Sequence, residues 1–143
     1  MRTLHLTALP GLPEISAGDD LSTLLASAAR NAGLALQPGD ILVLAQKIVS
    51  KAEGRRVSLA SVTPSNRAQE IAREANKDPR FVELILRESK NILRVKPGII
   101  IAEHKLGFIM ANAGIDQSNL PGAEDAVLLL PEDRSEEHTS ELQ

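Results

Sequence analysis

Residues 63–102, TPSNRAQEIAREANKDPRFVELILRESKNILRVKPGIIIA, change their hydrophobic period midway, and that change decides the fold. In the first part Ala68, Ile71, Ala72 and Ala75 recur at helical spacing, as do Phe81, Leu84, Ile85 and Glu88. The spacing predicts two amphipathic helices, each with one inward face. Thr63-Pro64 and Asp78-Pro79 mark their starts, because proline at the first helical position removes an N–H that has no intrahelical partner. Two such helices, closely spaced, are expected to form a helical hairpin packed on a sheet. From Asn91 the pattern becomes strand-like at residues 92–95 and 99–102, with Pro97-Gly98 as the turn. Helices grouped together, rather than alternating with strands, predict a mixed α/β domain of α+β type with a mixed sheet.

Working outward, residues 108–111 and 126–130 read as further strands, with Leu106-Gly107 as a turn. Upstream, residues 3–9 alternate in the manner of a half-buried strand, which Pro10-Gly11-Leu12-Pro13 ends. Asp19 and Asp20 offer N-cap oxygens to a helix carrying Leu21, Leu24, Leu25 and Ala28 and ending near Gly33. Pro38-Gly39-Asp40 reads as a turn, and residues 41–45 as a short strand buried on both faces. With no solenoid repeat and no low-complexity linker, one domain with one core is expected.

Composition narrows the function classes. Phe81 and Phe108 are the only aromatic residues, so stacking of nucleic-acid bases on aromatic platforms has no basis. The formal charge is −3 and no stripe of Lys or Arg could track a phosphate backbone, which argues against nucleic acid as a partner. The absence of cysteine excludes disulfides, thiolate zinc sites and a cysteine nucleophile, and fits a reducing, cytoplasmic setting. No apolar run approaches the roughly 20 residues that span a bilayer, so no membrane role is expected. Residues 134–143, RSEEHTSELQ, are polar and unpatterned and look like the codon-for-codon translation of a short-read sequencing adapter. The expectation is that the natural reading frame was interrupted near Asp133, and that His138 carries no chemistry.

The chain has neither G-x-x-x-x-G-K-[ST] nor a G-x-G-x-x-G after a strand, so any nucleotide must be held by other means. Three turn-rich segments combine tight backbone with polar groups where elements end. The first, Gly11-Leu12-Pro13-Glu14-Ile15 ahead of Gly18-Asp19-Asp20, could hold a purine or sugar through main-chain groups, or could simply join strand to helix. In the second, Gln46-Lys47-Ile48-Val49-Ser50-Lys51-Ala52-Glu53-Gly54-Arg55, Lys51 could neutralise phosphate while Gln46, Lys47 and Ser50 offer hydrogen bonds. Solvated loop charges are the competing reading. The third, Asn112-Ala113-Gly114-Ile115-Asp116-Gln117-Ser118-Asn119, places one carboxylate among amides, suited to a hard cation shared with phosphate oxygens or, equally, to stabilising a turn. His5 and His104 lack partners at metal-ligand spacing and read as structural or solvated.

Taken in order and register, these three segments resemble the coenzyme F420:L-glutamate ligase family, also called F420-0:gamma-glutamyl ligase, and the resemblance covers residues 1–132. It implies an enzyme that adds L-glutamate to the coenzyme F420-0 precursor through gamma-linked amide bonds. It also implies GTP as co-substrate, Mg²⁺ or Mn²⁺ as divalent metal, a monovalent cation, and an intertwined homodimer. By position, Leu12, Pro13, Glu14, Ile15, Gln46, Lys47, Lys51 and Asn119 would contact the nucleotide and Asp116 would hold a metal. The resemblance implies that the family continues beyond this region into a further segment with an Asp-Thr pair, a Gly-Arg motif and a later glutamine, and that segment is expected to be missing here. The expectation is therefore a family fold with little turnover and some uncovered apolar sheet surface. The alternative is a catalytically silent nucleotide-binding or dimerisation module.

Overall fold

The two helices of the middle segment form where their apolar spacing requires. A computed structural model describes residues 3–117 and 125–132. The chain divides into two units, Arg56–Leu130 and Met1–Arg55 with Pro131–Gln143.

Within Arg56–Leu130, helices α3 (Asn66–Ala75) and α4 (Pro79–Glu88) make the expected hairpin. Ala68, Ile71, Ala72 and Ala75 on one, and Phe81, Val82, Leu84 and Ile85 on the other, are buried in a common core. Pro79 occupies the first turn of α4 behind an Asp78 cap, as its sequence position predicts. Pro64 does not do the same. Helix α3 starts two residues later, at Asn66, because the Ser65 hydroxyl accepts from the Ala68 N–H and so makes Ser65 the cap. Asn76, in the left-handed conformation (φ 51°), closes α3, a position where the short amide side chain is tolerated.

One cap reaches across the hairpin. Glu83 of α4 accepts from the Ser65 N–H at 2.9 Å and also pairs with Arg87 at 3.1 Å. Hydrogen bonding from Ser65 is the main cause holding the Glu83 carboxyl below its ordinary range of 4.5, with Arg87 assisting. Because the folded value is lowered, this stabilisation is fully present above the unfolded value and is lost as pH falls through the folded one. The Glu83→Gln variant is expected to lose about 1–3 kcal/mol at neutral pH. Urea titrations should show its stability varying less than the parent's between pH 6 and 3.

Strands β2 (Ser89–Lys96), β3 (Ile99–His104) and β4 (Ile109–Ala111) form an antiparallel meander beside the hairpin, and β1 (Arg56–Ser58) pairs antiparallel with β5 (Ala126–Leu128). The mixed α/β expectation is thus borne out. Every strand pairing among the described residues is antiparallel. Ile100, Ala102 and His104 face inward along β3 at the two-residue period of a strand. The turn at Pro97-Gly98 is anchored by the Gly98 N–H, which donates to the Ala75 carbonyl at the end of α3.

In the other unit, α1 (Leu21–Asn31) is capped by Asp20 and buries Leu25, Ala28 and Ala29. Hydrogen bonds from the Ser22 and Thr23 hydroxyls and amides hold the Asp20 carboxyl down at about 2. The turn expected at residues 38–40 is present, closed by the Asp40 N–H donating to the Gln37 carbonyl. Two strand expectations fail here. Residues 3–9 and 41–45 lie in no helix or strand, and Leu4, Leu6, Ile41 and Val43 are 83–87% exposed. An apolar run forms a strand only when a neighbour completes its hydrogen bonds and covers its side chains, and neither segment has one among the described residues. The third correction is local. Residues 46–52, read as a loop, form the short helix α2 (Gln46–Ala52).

Candidate functional site

Helix α2 ends in a tight closure: the Glu53 N–H donates to the Val49 carbonyl and the Arg55 N–H to the Ser50 carbonyl. Gly54, with φ 69°, permits that reversal. The Ala52 carbonyl at the helix end, which has no intrahelical donor, instead accepts from the Gly18 N–H at 2.8 Å. That bond seats residues 11–18 on α2. A Cβ on Gly54 would reach ordinary contact, 3.4 Å, with the Ala17 side chain.

The consequence for charge is direct. The Lys51 ammonium lies 3.6 Å from the Glu14 carboxylate, with side-chain exposures of 20% and 69%. The first two sequence segments, widely separated along the chain, therefore meet in one place. Leu12 is half-buried, Pro13 and Glu14 are exposed, and Ile15 is buried as the anchor of the loop. Gln46 and Lys47 lie on the first turn of α2 and are half-buried. Ser50 departs from expectation. Its hydroxyl is fully buried with no partner among the described residues, so it faces no open site. Glu53 has a structural task, accepting from the Glu132 N–H at 2.6 Å.

The third segment belongs to the other unit, Arg56–Leu130. Asn112, Ala113 and Gly114 take three successive left-handed conformations, with φ of 51°, 53° and 69°. Such backbone costs about 1–2 kcal/mol per non-glycine residue and persists only where its surroundings enforce it. Here the Asn112 amide oxygen accepts from the Ile100 N–H, Ala113 is buried, and Asp116 exchanges both backbone hydrogen bonds with Leu128 at 2.9 and 2.8 Å. The turn thereby fixes the backbone that carries the half-buried Asp116 side chain. Asn119 and Ser118 lie outside the described residues, as does the segment at 134–143.

Among the described residues no group of three or more His, Cys, Asp or Glu could hold a metal ion. A protein cage for a cation is not formed by them. Chemically, the half-buried Asp116 carboxylate is of the kind that a Mg²⁺-type ion accepts when its other oxygens come from phosphate and water.

His104 is buried, its Nδ1 accepting from the Leu106 N–H at 3.0 Å and its Nε2 lying 3.6 Å from Glu88. It holds the β3–β4 turn against α4, which bears out a structural reading. The Glu14–Lys51 and Ser65–Glu83 contacts were not legible beforehand, because both depend on how elements pack rather than on local pattern. Among the described residues, no helix is long and apolar enough to cross a membrane.

These features place the chain among α+β proteins whose charged groups are gathered on turns and a short helix, without a glycine-rich phosphate loop. The profile of F420-0:gamma-glutamyl ligase matches residues 11–143. The coenzyme F420:L-glutamate ligase of Methanothermobacter thermautotrophicus is 47% identical over 117 residues, covering 82% of this chain and 46% of the relative. The ligases of that name from Methanopyrus kandleri and Halobacterium salinarum are 44% and 43% identical, covering 92% and 90% of this chain. The chain belongs to the F420-0:gamma-glutamyl ligase family, and it spans about half the length of the curated relatives it matches.

Proposed function

We propose that this chain carries nucleotide-handling elements of an enzyme that joins L-glutamate to coenzyme F420-0 at the expense of GTP. The observation that carries the reading is the seating of residues 11–18 on α2, which sets Lys51 beside Glu14 at a half-buried position. The relatives named as coenzyme F420:L-glutamate ligases support the substrates.

Amide formation from a carboxylate and an amine needs an activated acyl group. Transfer of the γ-phosphoryl group of GTP to the precursor carboxylate would release GDP and form an acyl phosphate. The glutamate amine would then attack the acyl carbon, expelling phosphate and losing a proton. Phosphoryl transfer is helped chiefly by positioning and by neutralising charge. Lys51 would supply a cationic contact to phosphate, Leu12 to Ile15 a main-chain cradle, and Gln46, Lys47 and Asn119 further polar contacts. Asp116 would give a carboxylate oxygen to Mg²⁺ or Mn²⁺, an ion whose bound form neutralises phosphate charge.

A monovalent cation, a homodimer and a cytoplasmic setting belong to the same reading. Binding of nucleotide with little or no turnover is the form of this reading put to test. Titration calorimetry with GTP and Mg²⁺, followed by an assay for glutamate-dependent GDP release, tests this: binding without release is expected. Absence of any GTP binding overturns the proposal. Separately, Mn²⁺ titrations followed by electron paramagnetic resonance should show Asp116→Asn weakening metal uptake by at least about tenfold, or about 1.4 kcal/mol. An unchanged Mn²⁺ affinity removes Asp116 from the metal role.

A further inference from the structure

The Lys51 ammonium already has an anion beside it, but a loosely held one. Glu14 Oε1 lies 3.6 Å away, beyond the length of about 2.7–2.9 Å typical of a charge-assisted hydrogen bond. Little of the Lys51 side chain is open to water, and a mostly solvated carboxylate stands next to it.

Both side chains hang from backbone that other bonds fix. On α2, the Gly54 N–H donates to the Lys51 carbonyl at 3.0 Å and the Arg55 N–H to the Ser50 carbonyl at 2.9 Å. In the loop, Ile15 is buried, the Ser16 N–H donates to the Asp19 carboxylate at 2.8 Å, and the Gly18 N–H donates to the Ala52 carbonyl. None of these bonds passes through the side chain of Glu14 or Lys51. The ion pair can therefore open by side-chain rotation alone, at the small cost of parting two groups near water.

A phosphate chain approaching Lys51 meets Glu14 in two ways. The carboxylate has to leave the ammonium, and its own charge repels the incoming anion. We propose that Glu14 is an internal counter-anion, which occupies Lys51 while no nucleotide is bound and turns into water when phosphate takes its place. This role rests on the nucleotide reading of Lys51. It gives the Glu14 side chain an effect opposite in sign to the main-chain contacts of residues 12–15: the loop that cradles the nucleotide also carries a competitor for its phosphate site.

A double-mutant cycle on the full chain tests this, with Mg²⁺–GTP affinity measured by titration calorimetry at low ionic strength, where surface charges are least screened. Glu14→Gln, close in shape but uncharged, is expected to bind about two- to fivefold more tightly than the parent, the scale set by an exposed ion pair. In the Lys51→Ala background the same substitution should gain clearly less, because no ammonium remains to be released. Unchanged or weaker binding by Glu14→Gln, when the parent binds, overturns this role alone and leaves the nucleotide reading standing. An equal gain in both backgrounds also overturns it, since repulsion of phosphate would then be the whole effect. A parent and a Glu14→Gln variant that both fail to bind GTP overturn the nucleotide reading and the counter-anion with it.

Discussion

Gly114→Ala is expected to destabilise the unit formed by Arg56–Leu130 by about 2–5 kcal/mol, a large part of the 5–15 kcal/mol that typical domains possess. Two costs combine. At φ 69° an L side chain is strained, and the new Cβ would sit 2.7 Å from the Met110 sulfur and 2.9 Å from Leu130 Cδ1. The methionine end can swing away, but Leu130 is fully buried and cannot yield freely. Gly98→Ala separates the two costs. Its φ is 85° with nothing within 4 Å of the added carbon, so only the backbone part, about 1–2 kcal/mol, applies. Urea unfolding of both variants should therefore place the Gly114→Ala midpoint well below that of Gly98→Ala. Equal midpoints would mean that the turn at residues 112–114 relaxes without cost.

Lys51→Ala is expected to lower affinity for Mg²⁺–GTP by about 10- to 100-fold, or about 1.4–2.8 kcal/mol, while leaving the melting temperature nearly unchanged. The contrast arises from the setting of the ammonium. Its partner Glu14 is mostly exposed, and such pairs contribute about 0–1 kcal/mol to folding. A triphosphate carries far more charge than one carboxylate and would draw the same ammonium. Lys51→Arg keeps the charge but not the compact shape, so it should recover only part of the affinity. Calorimetry on the three proteins measures both quantities. Loss of stability with no loss of affinity would make Lys51 a structural residue.

The middle and end of the fold were legible because their signals are local. The stripes of Ala68–Ile71–Ala72–Ala75 and Phe81–Leu84–Ile85, the Asp78-Pro79 start and the Pro97-Gly98 turn all reappear in place. Residues 3–9 and 41–45 misled for a physical reason: apolar alternation in the first and a continuous apolar run in the second state what a segment can do when paired, not that a pair exists. Helix α2 was missed because seven residues give barely two turns of periodicity, and its formation leans on the Gly18–Ala52 bond. Of the candidate site, Lys51 lies beside Glu14, a meeting that depends on packing and that no local pattern announced, whereas Ser50 turns inward. The left-handed run at residues 112–114 was invisible, since nothing in Asn-Ala-Gly requires an alanine to adopt φ 53°.

The Ser65–Glu83 contact also bears on synthesis. A helix emerging from the ribosome usually brings its own terminal acceptors, but α3 draws part of its anchor from a residue that is translated later. Until position 83 has left the exit tunnel, the first turn of α3 lacks that anion, so the pair of helices should acquire order together rather than one after the other.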